Sequence, residues 1–199
     1  MLGSMNPLGE RTRNYKWLTT VLYFVTGSTL GGLALGASLG ALGAALPRLQ
    51  TRASVVVIVF ILLLGGLLDS GSLWDSVVTI RRQVNDQWLL RYRSWVYGLG
   101  FGFQLGLGVV TIVETWAIYV TFAASFISQS PAIGGIIGMT FGVIRAMPIL
   151  TVASVRHPEQ LGRVWSRLEQ TTRSSRTFTW VSQILIGAAG ALLLVSQRF

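Results

Sequence analysis

Five long apolar stretches make up most of the chain, and they constrain its fold more than any other feature. Each is long enough, or nearly so, to cross a hydrocarbon core of ~30 Å, which takes ~20 helical residues. The stretches lie at 17–46, 53–69, 95–125, 131–155 and 178–197. The sequence therefore predicts an all-α fold: a polytopic membrane helix bundle with five transmembrane helices.

The positively charged residues fall mostly on one side of these stretches. If the chain crosses a membrane five times, the N-terminus and the connections 70–94 and 156–177 share one face, which carries twelve of the sixteen Lys and Arg residues. The opposite face carries three, and Arg145 lies inside a span. Lys and Arg beside membrane spans are retained in the cytoplasm. The pattern therefore predicts a multi-pass protein of the cell inner membrane with a cytoplasmic N-terminus and an external C-terminus.

The composition favours a single membrane domain. Hydrophobic residues make up 51% of the chain and charged residues 12%, with a mean hydropathy of +0.59, and this charge content is well below that of a soluble domain. We predict a cytoplasmic N-terminal segment over 1–16 and one five-helix membrane domain over 17–199. The first apolar stretch is about twice as long as that of a signal peptide, so we expect a retained anchor. Whether residues 1–4 are native is left open.

Charge and residue types also bear on partners and chemistry. The net charge of +9 is split among short connections, so anionic lipid headgroups on the cytoplasmic side are the expected partner, and nucleic acid is not. The chain has no cysteine, and its only histidine is His157. We therefore expect no metal site, no cofactor and no thiol chemistry. Nucleotide-binding and hydrolase motifs are also missing, so we predict that the protein is not an enzyme.

Both cytoplasmic connections are predicted to form amphipathic helices. In the second connection, Leu161, Val164, Trp165 and Leu168 follow the i, i+3, i+4, i+7 spacing of one apolar stripe. The first connection has a looser stripe of valine and tryptophan residues. Helices of this kind lie in the headgroup plane of a membrane. We therefore predict two amphipathic interfacial helices, and docking of a partner protein is the alternative role for them.

Three of the predicted spans carry glycines at a strict four-residue spacing. Such a set forms a groove along one helix face that lets a second backbone approach closely, and close packing is what draws helices together in lipid. The three ladders are Gly32, Gly36 and Gly40; Gly98, Gly102 and Gly106; and Gly134, Gly138 and Gly142. They predict a tight internal bundle, with one ladder left open as a possible surface for a partner.

Glu114 and Arg145 are the ionisable residues that lie clearly within predicted spans. At 1.5 Å per residue they lie ~12 Å and ~21 Å below the outer surface, on neighbouring antiparallel helices, so their side chains can pair. A charge at mid-bilayer costs on the order of 2.5–3.5 kcal/mol, so it usually has a partner. Two readings stay open: a structural ion pair (or Arg145 reaching lipid phosphate), and a proton or anion relay that lines a cavity.

Further polar groups fall near this pair. Gln104, Thr111 and Thr115 can share an interior face with Glu114. Pro148 deprives the carbonyl of Ile144 of its hydrogen-bond donor and should kink the fourth span there. An arginine, a freed carbonyl and a kink are features of a broken-helix substrate site. The predicted substrate-binding residues are therefore Glu114, Arg145, Gln104, Thr111 and Thr115.

Two stretches in the second half of the chain carry a family resemblance. They read YGLGFGFQLGLGVVTIVETWAIYVTFAAS over 97–125 and IGGIIGMTFGVIRAMPIL over 133–150. Their glycine, phenylalanine and proline spacings resemble the fourth and fifth helices of the DsbD/CcdA thiol–disulfide transporters and, more distantly, of the LysE-type exporters. The resemblance implies that the family's first helix is missing here and that the N-terminus is cytoplasmic.

This chain departs from that family at the residues that carry its chemistry. Where the family has its catalytic cysteine, the sequence reads Val110, Thr111, Ile112 and Val113. A Cys-less relative cannot transfer electrons through thiols, so no catalytic residue is carried over.

Two functions are consistent with these features. The first is a small transporter-like membrane protein, a homo-oligomer, that handles a small solute or ion near Glu114 and Arg145. The alternative is a non-catalytic accessory subunit whose glycine ladders pack against a larger membrane complex. The substrate, the direction of transport and the coupling ion are not encoded in any recognisable motif.

Overall fold

A computed structural model describes residues 7–12, 16–46, 51–72, 93–108, 116–153, 155 and 158–196, and every regular element among them is helical. The α-helices are α1 (Pro7–Thr12), α2 (Trp17–Ala44), α3 (Thr51–Leu67), α4 (Ser94–Leu107), α5 (Ala117–Ile127), α6 (Pro131–Ala146) and α7 (Pro158–Ser196). A π-helical turn, Leu68–Ser72, follows α3, and a 3-10 segment, Met147–Val152, follows α6.

Within the described residues, four helical segments are long and apolar enough to cross a membrane. They are Trp17–Ala44, Arg52–Ser70, Pro131–Val152 and Thr177–Ser196. These segments match four of the five predicted spans and fit a membrane protein. The first is one continuous α-helix through its Gly-Gly pair.

The prediction of one continuous helix over 95–125 is wrong. Helix α4 ends at Leu107, and α5 begins at Ala117. Gly108 closes α4 with a φ of 69°, and its N–H donates to the Leu105 carbonyl at 3.1 Å. Glycine reaches this left-handed conformation without a Cβ penalty, which makes it a common helix terminator. The predicted third span is therefore two shorter helices, α4 and α5, and the count of five continuous spans is not reproduced.

The predicted interfacial helix over 156–177 is not a separate element. It forms the first part of α7, which runs without interruption for 39 residues. No proline or glycine lies between Gly162 and Gly187, so each further residue adds a helical hydrogen bond at little cost. Most of the other predicted interfacial helix, over 70–94, lies outside the described residues.

Helix α2 lies at the centre of the fold, between α4 and α6. Helix α4 runs parallel to α2, since Gly98 contacts Thr20 and Gly106 contacts Ser28. Helix α5 continues in the same direction, and Phe126 near its end contacts Gly43 near the end of α2. The two short helices together therefore follow α2 along its length.

The end of α6 packs into a cluster of buried apolar residues. This cluster is formed by Val21 and Phe24 of α2, Tyr97 and Phe101 of α4, and Ala146, Ile149, Val152 and Val155. Ile149 and Val152 lie on one face of the 3-10 segment, and Ala146 and Val155 continue their spacing of three on either side. The α-helix gives way to this tighter form at Met147, next to Pro148, which has no N–H to donate. The predicted kink is thus a change of helix type.

Helices α3 and α7 form a second, antiparallel group. Gly66 of α3 faces Ile184 of α7, and Val59 of α3 faces Gly190 of α7. Helix α5 also contacts α3, so it joins this pair to the helices around α2.

Candidate functional site

The predicted glycine ladders lie where helices of this chain cross. A Cβ on Gly32 would overlap the carbonyl oxygen of Gly138, and a Cβ on Gly36 would overlap that of Gly134. The antiparallel helices α2 and α6 therefore meet backbone to backbone, as small residues in membrane helices allow. The remaining ladder glycines also face backbone atoms of a neighbouring helix: Gly40, Gly98, Gly102, Gly106 and Gly142.

Two further glycines belong to these crossings, and the sequence reading missed them. Gly27 and Gly31 of α2 meet the carbonyl oxygens of Leu99 and Phe103 of α4, so tightly that a Cβ at either position would overlap the oxygen. Their four-residue spacing was visible in the sequence, but two glycines form a weaker pattern than three. Helix α2 thus presents one glycine face to α6 and another to α4.

Ser28 lies where α2, α4 and α6 meet. Its backbone carbonyl faces both Gly106 of α4 and Gly142 of α6. Its buried Oγ donates a hydrogen bond to the Gly142 carbonyl at 2.7 Å. This bond links α2 to α6 at a defined level of the bundle.

The structure describes two of the five predicted substrate-binding residues. Gln104 lies half-buried on α4, and Arg145 lies half-buried near the end of α6. Glu114, Thr111 and Thr115 lie outside the described residues. Pairing of Glu114 with Arg145 therefore stays a prediction.

Sequence reasoning missed the buried carboxylate of Asp69, the last residue of the second predicted span. Asp69 is 0% exposed, in the π-helical turn after α3. The backbone N–H of Trp116, just before α5, donates to both carboxylate oxygens at 3.0 Å. Negative charge at a helix N-terminus is stabilised by the exposed N–H groups there. Asp69 thus holds the start of α5 against the end of α3.

Gln183 of α7 completes this group, which we call the Asp69 junction (Gly65, Asp69, Trp116 and Gln183). Gln183 Nε2 lies 3.4 Å from Asp69 Oδ2, a long hydrogen bond. Among the described residues, the buried Gln183 Oε1 and Trp116 Nε1 have no hydrogen-bond partner. Asp69 and Gln183 both lie in segments apolar enough to span a membrane. The sequence contains one indication of this junction, because Asp69 closely follows the Gly65–Gly66 pair that lets α7 approach α3.

A row of aromatic rings leads from the Asp69 junction to Arg145. The ring centroids of Trp116 and Tyr119 are 5.0 Å apart, those of Tyr119 and Phe122 are 6.4 Å apart, and those of Phe122 and Phe141 are 6.3 Å apart. The Arg145 guanidinium carbon lies 5.4 Å from the Phe141 ring centroid, within the range of a cation–π interaction. The aromatic row therefore extends from Trp116, whose backbone N–H binds Asp69, to Arg145.

The end of α4 lies against the same aromatic row. A Cβ on Gly108 would lie 3.1 Å from Phe122 Cζ and 3.3 Å from Phe141 Cε1. Gly108 at the end of α4 and the Asp69 junction at the start of α5 thus flank residues 109–115, which lie outside the described part of the chain. A break in an apolar span beside a buried charge is an arrangement that membrane proteins use to bind solutes.

A second buried carboxylate, Glu10, lies at the other end of the α2–α4 crossing. Glu10 of α1 accepts a hydrogen bond from Thr20 Oγ1 at 2.8 Å. The Tyr97 hydroxyl donates to its Oε1 at 2.5 Å and to its Oε2 at 2.7 Å. All three residues are fully buried. The sequence reading treated 1–16 as a cytoplasmic segment and gave Glu10 no role, although no other acidic residue precedes Asp69.

Comparison with known proteins identifies relatives for most of the chain. The methylamine utilization protein MauF of Paracoccus versutus is 30% identical over 166 residues, covering 80% of this chain and 61% of that protein. MauF of Methylophilus methylotrophus is 28% identical over 143 residues, covering 71% and 49%. MauF of Methylobacillus flagellatus is 31% identical over 136 residues, covering 67% and 48%. The chain thus spans between about half and three-fifths of the length of these curated relatives.

These relatives correct the family resemblance drawn from the sequence. All three carry the name MauF, so the likeness to DsbD/CcdA-type transporters is wrong. That likeness rested on glycine, phenylalanine and proline spacings, and close helix packing in lipid calls for small residues at such spacings in unrelated proteins. No family model matches the chain. No solved structure matches it.

Proposed function

We propose that this protein is a multi-pass membrane protein that handles a small solute or ion inside its helix bundle, at the Asp69 junction. The buried carboxylate beside an interrupted apolar span is the observation that carries this proposal. A charge inside a membrane segment costs on the order of 2.5–3.5 kcal/mol, so such residues are rare and usually mark solute or ion pathways. Asp69 is buried on the start of α5, where the helix N-terminus offsets part of that cost.

The proposed solute region extends along the aromatic row, from Asp69 to a second charged residue. Arg145 lies at its far end, over Phe141. Of the predicted polar residues, Gln104 lies on α4, and Glu114, Thr111 and Thr115 fall outside the described residues. In this proposal all four contribute polar groups to the solute site.

The proposed topology retains five crossings. Helices α4 and α5 together follow α2 along its length, so they count as one interrupted crossing. With the positive charges retained inside, the N-terminus lies in the cytoplasm and the C-terminus lies outside, and the basic residues of the N-terminus and of the connections 70–94 and 156–177 face anionic lipid. An alkaline phosphatase fused to the C-terminus should then be active, and a fluorescent protein there should be dark. The opposite pair of results contradicts this topology.

The glycine contacts favour this function over that of an accessory subunit. All nine ladder glycines face backbone atoms of other helices in the same chain. The ladders are therefore occupied internally and do not present a free groove to a larger complex. If the purified protein instead carries a foreign membrane subunit in fixed ratio, the accessory role is the better description.

Transport measurements test the proposal directly. The relatives are named for methylamine utilization, so methylammonium is the first solute to examine. In proteoliposomes at mildly acidic pH, which keeps the amine protonated, we expect saturable uptake of labelled methylammonium. Asp69→Asn should reduce it by about tenfold or more, the effect of losing one charge-assisted hydrogen bond.

A matched control is provided by Thr140→Val on α6. Thr140 is exposed, and its hydroxyl bonds only the Ile136 carbonyl of its own helix in the described contacts, so uptake should be unchanged. Uptake no greater than in protein-free vesicles, for methylammonium and for a panel of small ions and neutral solutes, contradicts the proposed function.

A further inference from the structure

Gln183 is the most informative polar residue of the Asp69 junction. It is 5% exposed, and its Nε2 is directed towards Asp69. Its Oε1, which has no hydrogen-bond partner among the described residues, points at Gly65, where a Cβ would lie only 3.2 Å away. Burying an acceptor without a donor is unfavourable, and such an atom calls for an explanation. A ligand that donates hydrogen bonds provides one.

The chemistry of the junction selects a positively charged donor. Asp69 supplies a negative charge, and Gln183 supplies an amide oxygen; both groups accept hydrogen bonds. Hard metal ions such as Ca²⁺ take about six to eight oxygen ligands, and in the described part of the chain the junction offers only these two oxygen-bearing side chains. An ammonium group needs fewer, because its three N–H donors leave from one atom.

The surroundings also favour a small organic cation. Trp116 binds Asp69 through its backbone N–H and pairs its ring with that of Tyr119, and aromatic faces attract ammonium groups while their surface accepts a methyl group. Space is limited, since a single carbon on Gly65 would lie 3.2 Å from Gln183 Oε1 and 3.4 Å from Trp116 Cβ. Packing this tight restricts any ligand at this point to a small one.

We infer that the Asp69 junction binds the ammonium group of a small primary amine. Asp69 provides the charge, Gln183 Oε1 accepts one N–H, and the Trp116–Tyr119 pair covers the alkyl group. The inference rests on the proposed function and adds the class of ligand to it.

Thermal unfolding of the purified full chain in detergent tests the inference. Methylammonium chloride, NaCl and KCl each replace choline chloride at constant ionic strength. We expect methylammonium to raise the melting temperature saturably and more than Na⁺ or K⁺, because a ligand that binds only the folded state stabilises it. The absence of a specific rise, or a rise with Na⁺ or K⁺ alone, overturns the inference.

Substitutions at Gln183 separate ligand binding from structure. Gln183→Leu keeps the volume but removes the unpartnered oxygen, so the ligand-free melting temperature should stay level or rise while the response to methylammonium is lost. Ser182→Ala, the next residue on α7, removes a hydroxyl that bonds the Phe178 carbonyl of the same helix and should leave the response intact. A full response in Gln183→Leu contradicts the assignment.

Two further variants keep the test decisive if Gln183→Leu fails to fold. Gln183→Glu retains both size and oxygen acceptors, so it should keep or strengthen the response. Asp69→Asn retains an oxygen for the Trp116 N–H but removes the charge, so the apparent affinity should fall by about tenfold or more. An unchanged affinity in Asp69→Asn, or loss of the response in a folded Gln183→Glu, overturns the inference.

The outcomes for the ligand and for the function are distinct. Transport of another solute without binding of methylammonium removes the amine assignment and leaves the proposed function standing. Specific binding without transport of any solute leaves the amine site standing and removes the proposed function.

Discussion

The helices around α2 pack through backbone contacts at glycines, whereas α3 and α7 pack through side chains. Around α2, glycines bring backbones together, and a Cβ on Gly32 or Gly102 would overlap a carbonyl oxygen of the facing helix. Between α3 and α7, a Cβ on Gly190 would lie 2.7 Å from a methyl carbon of Val59, so side chains fill the contact there. The first contact cannot adjust without moving a helix, whereas the second can adjust through rotamers.

The helices around α2 and the α3–α7 pair also differ in how fully their buried polar groups are hydrogen-bonded. The Ser28 hydroxyl, in the glycine-packed group, donates a short hydrogen bond to the Gly142 carbonyl. In the α3–α7 group, Gln183 makes one long hydrogen bond and leaves its oxygen unpartnered within the described residues. The rigid group thus has a satisfied polar contact at its centre, and the adjustable group contains the polar atoms that a ligand can engage.

The largest effect is expected from a side chain placed at a glycine contact. Gly138→Leu and Gly102→Leu force α2 away from α6 or α4, because the neighbouring atom is backbone oxygen. We expect loss of folding, or destabilisation on the order of 4 kcal/mol or more. Gly190→Leu should be less damaging. Equal melting temperatures for the three variants in detergent would show that the two groups do not differ in the way described.

A smaller effect is expected at the Glu10 contact, at the end of the α2–α4 crossing. Tyr97→Phe removes one of the two hydroxyl groups that donate to the buried Glu10 and leaves that of Thr20, and losing a bond to a buried polar group costs about 1–3 kcal/mol. Tyr23→Phe on α2, where Tyr23 is 38% exposed, is the matched control and should be nearly neutral. Chemical or thermal unfolding of both variants measures the difference, and similar losses in both would argue against the Glu10 contact.

The α3–α7 pair should tolerate one added carbon. In Gly190→Ala the new methyl group meets Val59 Cγ2, which can rotate away, while the helix gains from replacing glycine with alanine by about 0.5–1 kcal/mol. We expect a net change within about 1 kcal/mol. Destabilisation as large as that of Gly138→Ala, measured in the same detergent, would mean that this contact is as rigid as those around α2.

The smallest effect is expected where no packing opposes the substitution. A Cβ on Gly162 meets nothing within 4 Å among the described atoms, so Gly162→Ala should stabilise α7 by about 0.5–1 kcal/mol through helix propensity alone. A measured loss of stability would reveal a contact at the start of α7.

Regular spacing made part of this architecture accessible from the sequence. Glycines every four residues mark a helix face that another backbone can approach, and the structure places Gly36 and Gly134 opposite each other. The spacing does not specify which helices meet. The spacing also did not predict that α4 ends at Gly108. The sequence is apolar on both sides of Gly108, so this glycine could not be distinguished from the glycines that pack inside helices.

The burial of the two carboxylates could not be predicted from the sequence for a different reason. Asp69 and Glu10 each lie at the edge of an apolar stretch, where a charged residue ordinarily faces water or lipid headgroups. Their burial follows from tertiary contacts with Trp116 and Tyr97, which are 47 and 87 residues away in the chain. Local pattern carries no information about contacts at such separations.

The repeated spacing of glycines leaves the alignment of α2 and α6 ambiguous, and Ser28 resolves it. Sliding one helix past the other by four residues, about 6 Å, would set Gly32 against Gly142 and Gly36 against Gly138, again pairing glycine with glycine. Fit at these glycine pairs alone therefore does not distinguish the two alignments. In the displaced alignment Ala146 would take the place of Gly142 beside Ser28, where a Cβ overlaps the Ser28 carbonyl oxygen, and the Ser28 hydroxyl would lose the Gly142 carbonyl to which it donates. Ser28, through its carbonyl and its hydroxyl, thus gives an otherwise repetitive contact one alignment.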